Sequence, residues 1–306
     1  MIGHLRVKSP WSQLGIFLGL FGAAFFTASL LMAIMVLAKG LPINEISSAD
    51  WSDPRMLPTM KLAQAISSVI IFLLPALAFA FICFTGKHLR FLGLTKPANN
   101  MTYVLATLCI LAAFPFVMWL GEINQLIPLP KWMTSLEEDA TKQLQAFLKA
   151  DGIGDIIINV IIIAVLPAFC EEICFRGALQ RIIINIARNP WAGIIITSIF
   201  FSALHLQFQG FLPRMFLGVI LGAIYWYSGS LWPSIVAHFV NNAVQVVGVS
   251  YAPEYIENNP SVPVLAALVS GIIVVAALWR FKSISTVTYE KVYEPDELNR
   301  NNQFLA

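Results

Sequence analysis

Long apolar runs separated by short polar stretches dominate this chain. A helix needs about 20 mostly apolar residues to cross a hydrocarbon core of roughly 30 Å. Runs 13–37, 62–84 and 102–120 meet that need, and 156–180 does so although its second half carries Glu171, Glu172 and Arg176. Runs 191–206, 215–227, 231–249 and 262–279 follow, the shortest being 215–227, just after Pro213. The pattern predicts an all-α, multi-spanning membrane bundle of about eight transmembrane helices.

Between the third and fourth runs, the period changes. Ser135 with Glu138 three residues later has the form of a capping box, and Leu136, Ala140, Leu144, Phe147 and Leu148 recur at helical spacing among polar residues. With Trp132 beside it, this segment reads as an amphipathic helix lying flat at the interface, or as a loop helix packed on the bundle. The chain then divides into N-terminal spans with the interfacial helix (1–150), a core carrying the chemistry (151–250), and a last span with a polar tail (251–306).

Composition agrees. Of 306 residues, 58% are apolar and 12% charged, against roughly 25% charged in soluble proteins, and mean hydropathy is +0.75. A water-soluble enzyme and a disordered regulator are excluded, and a net charge of +2 is too small for a nucleic-acid partner. Cys83, Cys109, Cys170 and Cys174 all lie in apolar runs, so no disulfide framework is implied. The first apolar run is too long for a signal peptide's core. Arg6 and Lys8 before it place the N-terminus in the cytoplasm. Lys87, Arg90 and Lys96, Arg181 and Arg188, and Arg280 and Lys282 then fall on the same side, as does the C-terminus; Lys39, Arg55, Lys61, Lys131, Lys142, Lys149 and Arg214 run against the rule. The tail after Lys282 is expected to be solvated, and so are His4 and His88.

Ionisable groups are costly in hydrocarbon, so each one within a span is a functional candidate. They are Glu171, Glu172 and Arg176 in the fourth run, His205 in the fifth, and His238 with Asn241 and Asn242 in the seventh. Residues four apart share a helix face. Arg176 can therefore neutralise Glu172, while Glu171, rotated by about 100°, is left free to act on water. Phe201 shares a face with His205, and His238 with Asn242; Asn241 points aside and reads as interhelical glue. Counted at about 1.5 Å per residue from the cytoplasmic ends, Glu171, His205, His238 and Asn242 lie roughly 11–20 Å deep, a spread that ordinary helix tilt absorbs. Pro167, one turn before Glu171, frees a backbone carbonyl at that depth.

A carboxylate, two imidazoles and an amide around one cavity suit attack of water on an acyl carbon. Glu171 would take the proton, His205 would orient the water, and His238 with Asn242 would stabilise the oxyanion. A Gly-x-Ser-x-Gly elbow and a His-Glu-x-x-His motif are both absent from the sequence. Cys170 and Cys174 bracket the glutamates but read as small buried hydrophobes.

These residues carry a resemblance. Glu171-Glu172-Ile-Cys-Phe-Arg176-Gly177, then Phe201-Ser-Ala-Leu-His205, then His238-Phe-Val-Asn241-Asn242 resemble the three motifs of the CPBP family, also called Abi or type 2 CAAX prenyl protease-like proteins. The approach to the third motif, Gly218 to Gly222 and YSGSLWPSI from Tyr227, is similar too; the resemblance covers roughly residues 155–250. It implies an eight-helix intramembrane endopeptidase with Glu171, His205, His238 and Asn242 catalytic and Glu172, Arg176 and Phe201 supporting. It also implies residence in a prokaryotic cell membrane, and partners that are membrane lipids and a peptide or lipidated protein (CAAX-type, pheromone precursor or bacteriocin-related). A metal-free glutamate mechanism without cofactor is the favoured form; the alternative is Zn2+ held by Glu171, His205 and His238. The competing functions are a proton-coupled transporter and a non-catalytic immunity or assembly factor.

Overall fold

The computed structural model describes residues 9–40, 56–83, 88–150, 152–252 and 261–292, and among them there are helices and no strand. Arg6, Lys8, Arg55 and Lys87, which entered the orientation argument, and His4 lie outside the described residues, as does the tail beyond residue 292.

Helix α1 (Pro10–Leu37) starts where Ser9 accepts the Ser12 amide and Pro10 occupies the first turn. Helix α2 (Leu57–Cys83) widens into a π turn at Val69–Leu73, just before Pro75. After one short turn at His88–Phe91 come α3 (Met101–Gln125) and α4 (Lys131–Leu148). Helix α5 (Ile153–Ala187) runs unbroken through two π segments, Val160–Val165 and Ile173–Gln180. Asn189 then caps α6 (Pro190–Ala203) by accepting the amides of Trp191 and Ala192. Helix α7 (Phe211–Ser228) ends at Gly229, whose φ of 66° is the left-handed cap that glycine allows. Helices α8 (Leu231–Tyr251) and α9 (Val264–Ile284) complete the bundle.

Six of these helices, α1, α2, α3, α5, α7 and α9, are long and apolar enough to cross a membrane. The chain is a multi-pass membrane protein. Of the eight expected spans, α6 has only 14 residues, about 21 Å of helix. Helix α8 has the length, but Ser234, His238, Asn241, Asn242 and Gln245 dilute its apolar character. The run expected to be shortest, 215–227, gains a turn because Pro213 sits in the first turn of α7, where a proline is tolerated. Helix α4 starts a turn earlier than expected, with Pro130 at its N-cap and no side-chain cap. Ser135 and Glu138 therefore lie inside the helix, and the capping-box reading is corrected.

Two large apolar clusters hold the bundle, and a smaller one of Val36, Met56, Met60 and Phe147 joins α1, α2 and α4. Of the large two, one joins α1, α2 and α5 through Phe17, Phe79, Phe175 and their neighbours; the other joins α3, α7, α8 and α9 through Ile110, Ile220, Ile224 and Phe281. Helix α5 lies between them, its first half against α8 and its second half against α6. The outward faces stay apolar, as with Leu265, Ile272, Val275 and Trp279 of α9, because lipid rather than water surrounds them. His88, expected to be solvated, instead stacks on Phe81 at 4.1 Å and hydrogen-bonds the Ala80 carbonyl.

Pro115 breaks the ladder of α3, and α9 repairs it. Ser270 Oγ accepts from the Phe116 amide at 3.2 Å and donates to the Ala112 carbonyl at 2.5 Å. Replacing Ser270 with Ala removes the hydroxyl that bridges this amide and carbonyl, a loss of about 1–3 kcal/mol. Thermal unfolding in detergent should register it as a lowered Tm.

Candidate active site

Glu172 is fully buried at the turn where α5 passes into its second π segment. A charge there must be hydrogen-bonded on every side or be very costly. Its Oε1 accepts from Arg176 Nη1 at 2.6 Å and lies 2.9 Å from His238 Nδ1; its Oε2 accepts from Ser234 Oγ at 2.5 Å. Ser234 and His238 are one turn apart on α8, so one face of that helix supplies both. Arg176 extends the connection: Nη2 donates to the Gly218 carbonyl on α7 at 3.1 Å, and its guanidinium lies 4.5 Å from the centre of the Phe201 ring on α6. One turn on, Gln180 Nε2 repeats the step to the Gly222 carbonyl at 3.1 Å. Gly218 has to be small: a Cβ there would come within 2.9 Å of the Ser198 Cβ, and α6 and α7 could not approach. Four helices are thereby registered on one ion pair.

Glu171 points elsewhere, as the 100° rotation requires. Its Oε2 lies 3.9 Å from His238 Nε2, so the imidazole stands between two carboxylates, one on each nitrogen. Nδ1–H donates to Glu172, which fixes the ring's orientation and turns Nε2 toward Glu171. The Phe201 ring stands edge-on to His238 at 5.8 Å and to His205 at 5.1 Å, and Phe175 braces it at 5.1 Å.

His205, expected within the fifth apolar run, lies past the end of the helix that run forms. Helix α6 ends at Ala203, and His205 sits exposed on the following turn. Its Nδ1 donates to the Phe201 carbonyl at 2.8 Å, so Nε2 carries the lone pair and is free to accept a proton or a hydrogen bond. Phe201 thus touches both imidazoles with its ring and orients one by its backbone.

Pro167 has the consequence read from the sequence. It has no N–H for the carbonyl four residues back, that of Ile163, and Asn242 Nδ2 lies 3.4 Å from this oxygen. Asn241, expected as interhelical glue, instead donates to Asn242 Oδ1 at 3.1 Å and so orients its neighbour. The structure brings Glu171, Glu172, Arg176 and His238 together, places His205 against Phe201, and anchors Asn242 to α5 one turn along α8 from His238. Sequence reasoning missed Ser234; its signal was the four-residue step before His238.

Among the described residues, no three side chains of His, Cys, Asp or Glu are grouped to hold a metal ion. The trio Glu171, His205 and His238 is not such a group, and both imidazoles contact the Phe201 ring. Cys170 and Cys174 are buried and unpaired with one another.

Residues 153–244 match the family model described as Type II CAAX prenyl endopeptidase Rce1-like, and this stretch contains every side chain named in the site. The chain is also 31% identical over 119 residues to Uncharacterized protein YpbD of Bacillus subtilis (strain 168); the matching stretch is 37% of this chain and 56% of that protein, little more than half its length. No solved structure matches the chain.

If the ion pair registers the helices, removing one partner should be severe. Arg176→Met leaves Glu172 charged and buried, a cost of about 3–5 kcal/mol, and should abolish recovery of folded protein from membranes. The paired variant Glu172→Gln/Arg176→Met should recover part of the loss, as judged by size-exclusion profile and Tm.

Proposed function

We propose, from the match of residues 153–244 to the Rce1-like endopeptidases and from the geometry of the glutamates, that the chain is an intramembrane endopeptidase working by glutamate-activated water. The observation that carries the reading is the placement of Glu171: a buried carboxylate, outside the structural ion pair, facing an imidazole whose far nitrogen is tied to a second carboxylate.

Water between Glu171 and His205 gives a proton to the Glu171 carboxylate as its oxygen attacks the scissile carbonyl carbon. His205 Nε2, with Nδ1–H on the Phe201 carbonyl, accepts a hydrogen bond from the water's second O–H, which stays on the attacking oxygen and turns its lone pair toward the carbon. Negative charge then gathers on the carbonyl oxygen. Asn242 Nδ2 has one N–H toward Ile163 and a second to offer to that oxygen. His238 Nε2 donates to it a proton taken up from solvent, with Nδ1–H still on Glu172 and Glu171 on the other side of the ring. As the C–N bond breaks, Glu171 returns its proton to the departing amine. Every charged step has a prepositioned partner, which is how a poorly hydrated site lowers the barrier. These side chains supply each proton transfer without a metal.

The substrate is a peptide segment presented at the membrane, such as a lipidated CAAX-type terminus, a pheromone precursor or a bacteriocin-related peptide. With cytoplasmic termini in the cell membrane, the His205 turn, bonded to the end of α3 and to α4, lies toward the outer face.

In lipid nanodiscs, a fluorogenic farnesylated CAAX peptide and its unprenylated counterpart provide the assay. Glu171→Gln should lower kcat by about 10²–10⁴-fold with the Tm preserved, and Asn242→Ala should cost about 10²–10³-fold. Cleavage unchanged in Glu171→Gln would overturn the mechanism.

A further inference from the structure

The turn that carries His205 has an unusual backbone. Leu206, the next residue, has φ 54°, a left-handed conformation uncommon for a non-glycine residue and costly unless its surroundings impose it. The surroundings do so within three residues. Glu137 Oε2, reaching from the amphipathic helix α4, accepts the amides of Phe208 at 2.7 Å and Gln209 at 3.3 Å. Asn124, buried at the end of α3, takes the other side: Nδ2 donates to the Phe208 carbonyl at 2.9 Å and Oδ1 accepts the Leu212 amide at 2.7 Å. Arg214 donates through Nη1 to Gln207 Oε1 at 2.9 Å and through Nη2 to the Gln207 carbonyl. Gly210 leaves room for it, since a Cβ there would come 2.6 Å from Nη1. Trp132 of α4 packs edge-on against Phe208 at 5.7 Å.

Asn124 and Arg214 lie on helices of the bundle, at the end of α3 and in the first turn of α7. Glu137 is different, because it comes from α4, a polar-faced helix that touches the bundle at only a few places. We propose that Glu137 is a positioning residue for His205: its carboxylate closes the 204–210 turn against α4, holds Leu206 in its left-handed conformation, and so fixes where the imidazole points. Helix α4 is in this reading a working part of the site rather than an interfacial float. The proposal rests on the endopeptidase reading for its kinetic consequence, but the clasp itself has a readout that needs no cleavage.

The test compares Glu137→Ala, Glu137→Gln and Glu138→Ala in nanodiscs, with the farnesylated CAAX peptide for kinetics and hydrogen–deuterium exchange over residues 204–212. A Gln at 137 keeps an acceptor oxygen and should rescue; Glu138, exposed on the neighbouring face, is the control. Glu137→Ala should lower kcat about ten- to a hundredfold with KM within about twofold, and the Phe208 and Gln209 amides should exchange at least about tenfold faster. Glu137→Gln and Glu138→Ala should stay near wild type in both readouts. Unchanged protection of those amides in Glu137→Ala would overturn the proposal, as would an equal kcat loss in Glu137→Gln or Glu138→Ala. A wild-type protein that cleaves neither peptide would remove CAAX termini from the endopeptidase reading instead, leaving the clasp to be decided by exchange alone.

Discussion

A carboxylate with no exposed surface inside a membrane bundle has to be matched, oxygen by oxygen, by donors. Glu172 meets that demand with Arg176 on its own helix and with Ser234 and His238 on α8. Because the demand is severe, the solution is specific: α5 and α8 can adopt one relative register, and Arg176 passes the constraint to α7 through the Gly218 carbonyl and to α6 through the Phe201 ring. The consequence at the candidate site is geometric. Glu171, one residue earlier, must face about 100° away, and the imidazole it meets there is the one already pinned by Glu172.

The breaks in the helices serve the same arrangement. Prolines remove backbone donors, and in lipid a freed carbonyl must find another partner. Ser270 stitches the break at Pro115 across α3 and α9, which is structural. At Pro167 the freed carbonyl is met by Asn242, which anchors an amide one turn along α8 from His238. The π segment Ile173–Gln180 carries Arg176 and Gln180 against the small residues of α7, so an irregular helix, rather than a loop, delivers the polar groups to the interior.

Much of this was legible in the sequence, for physical reasons. Hydrophobic run length marks lipid-facing helices well, and the all-α bundle came directly from it. Counting spans was less secure: α6 is apolar but short, and α8 is long but diluted by the polar residues that build the site, so both depart from the simple run. The four-residue rule found the Glu172–Arg176 pair and the Phe201–His205 pair because each is local in the chain. It could not find Glu172–His238 or Glu137–Phe208, which depend on how separate helices pack. His205 was assigned to a span since its neighbours Leu204 and Leu206 are apolar; the left-handed backbone at Leu206, just past the end of α6, has no glycine or proline to announce it. The capping box at Ser135 failed because Pro130 already starts α4.

The dependence of the site on one shared carboxylate is measured most directly by a double-mutant cycle between Glu172→Gln and His238→Gln, read as unfolding free energy in mixed micelles. Residues joined in one hydrogen-bond network couple by about 0.5–3 kcal/mol. The account predicts a coupling in that range, with the second substitution costing little once the first is made. Strictly additive losses would mean that His238 is not held by Glu172, and the reasoning from that carboxylate to the rest of the site would not stand.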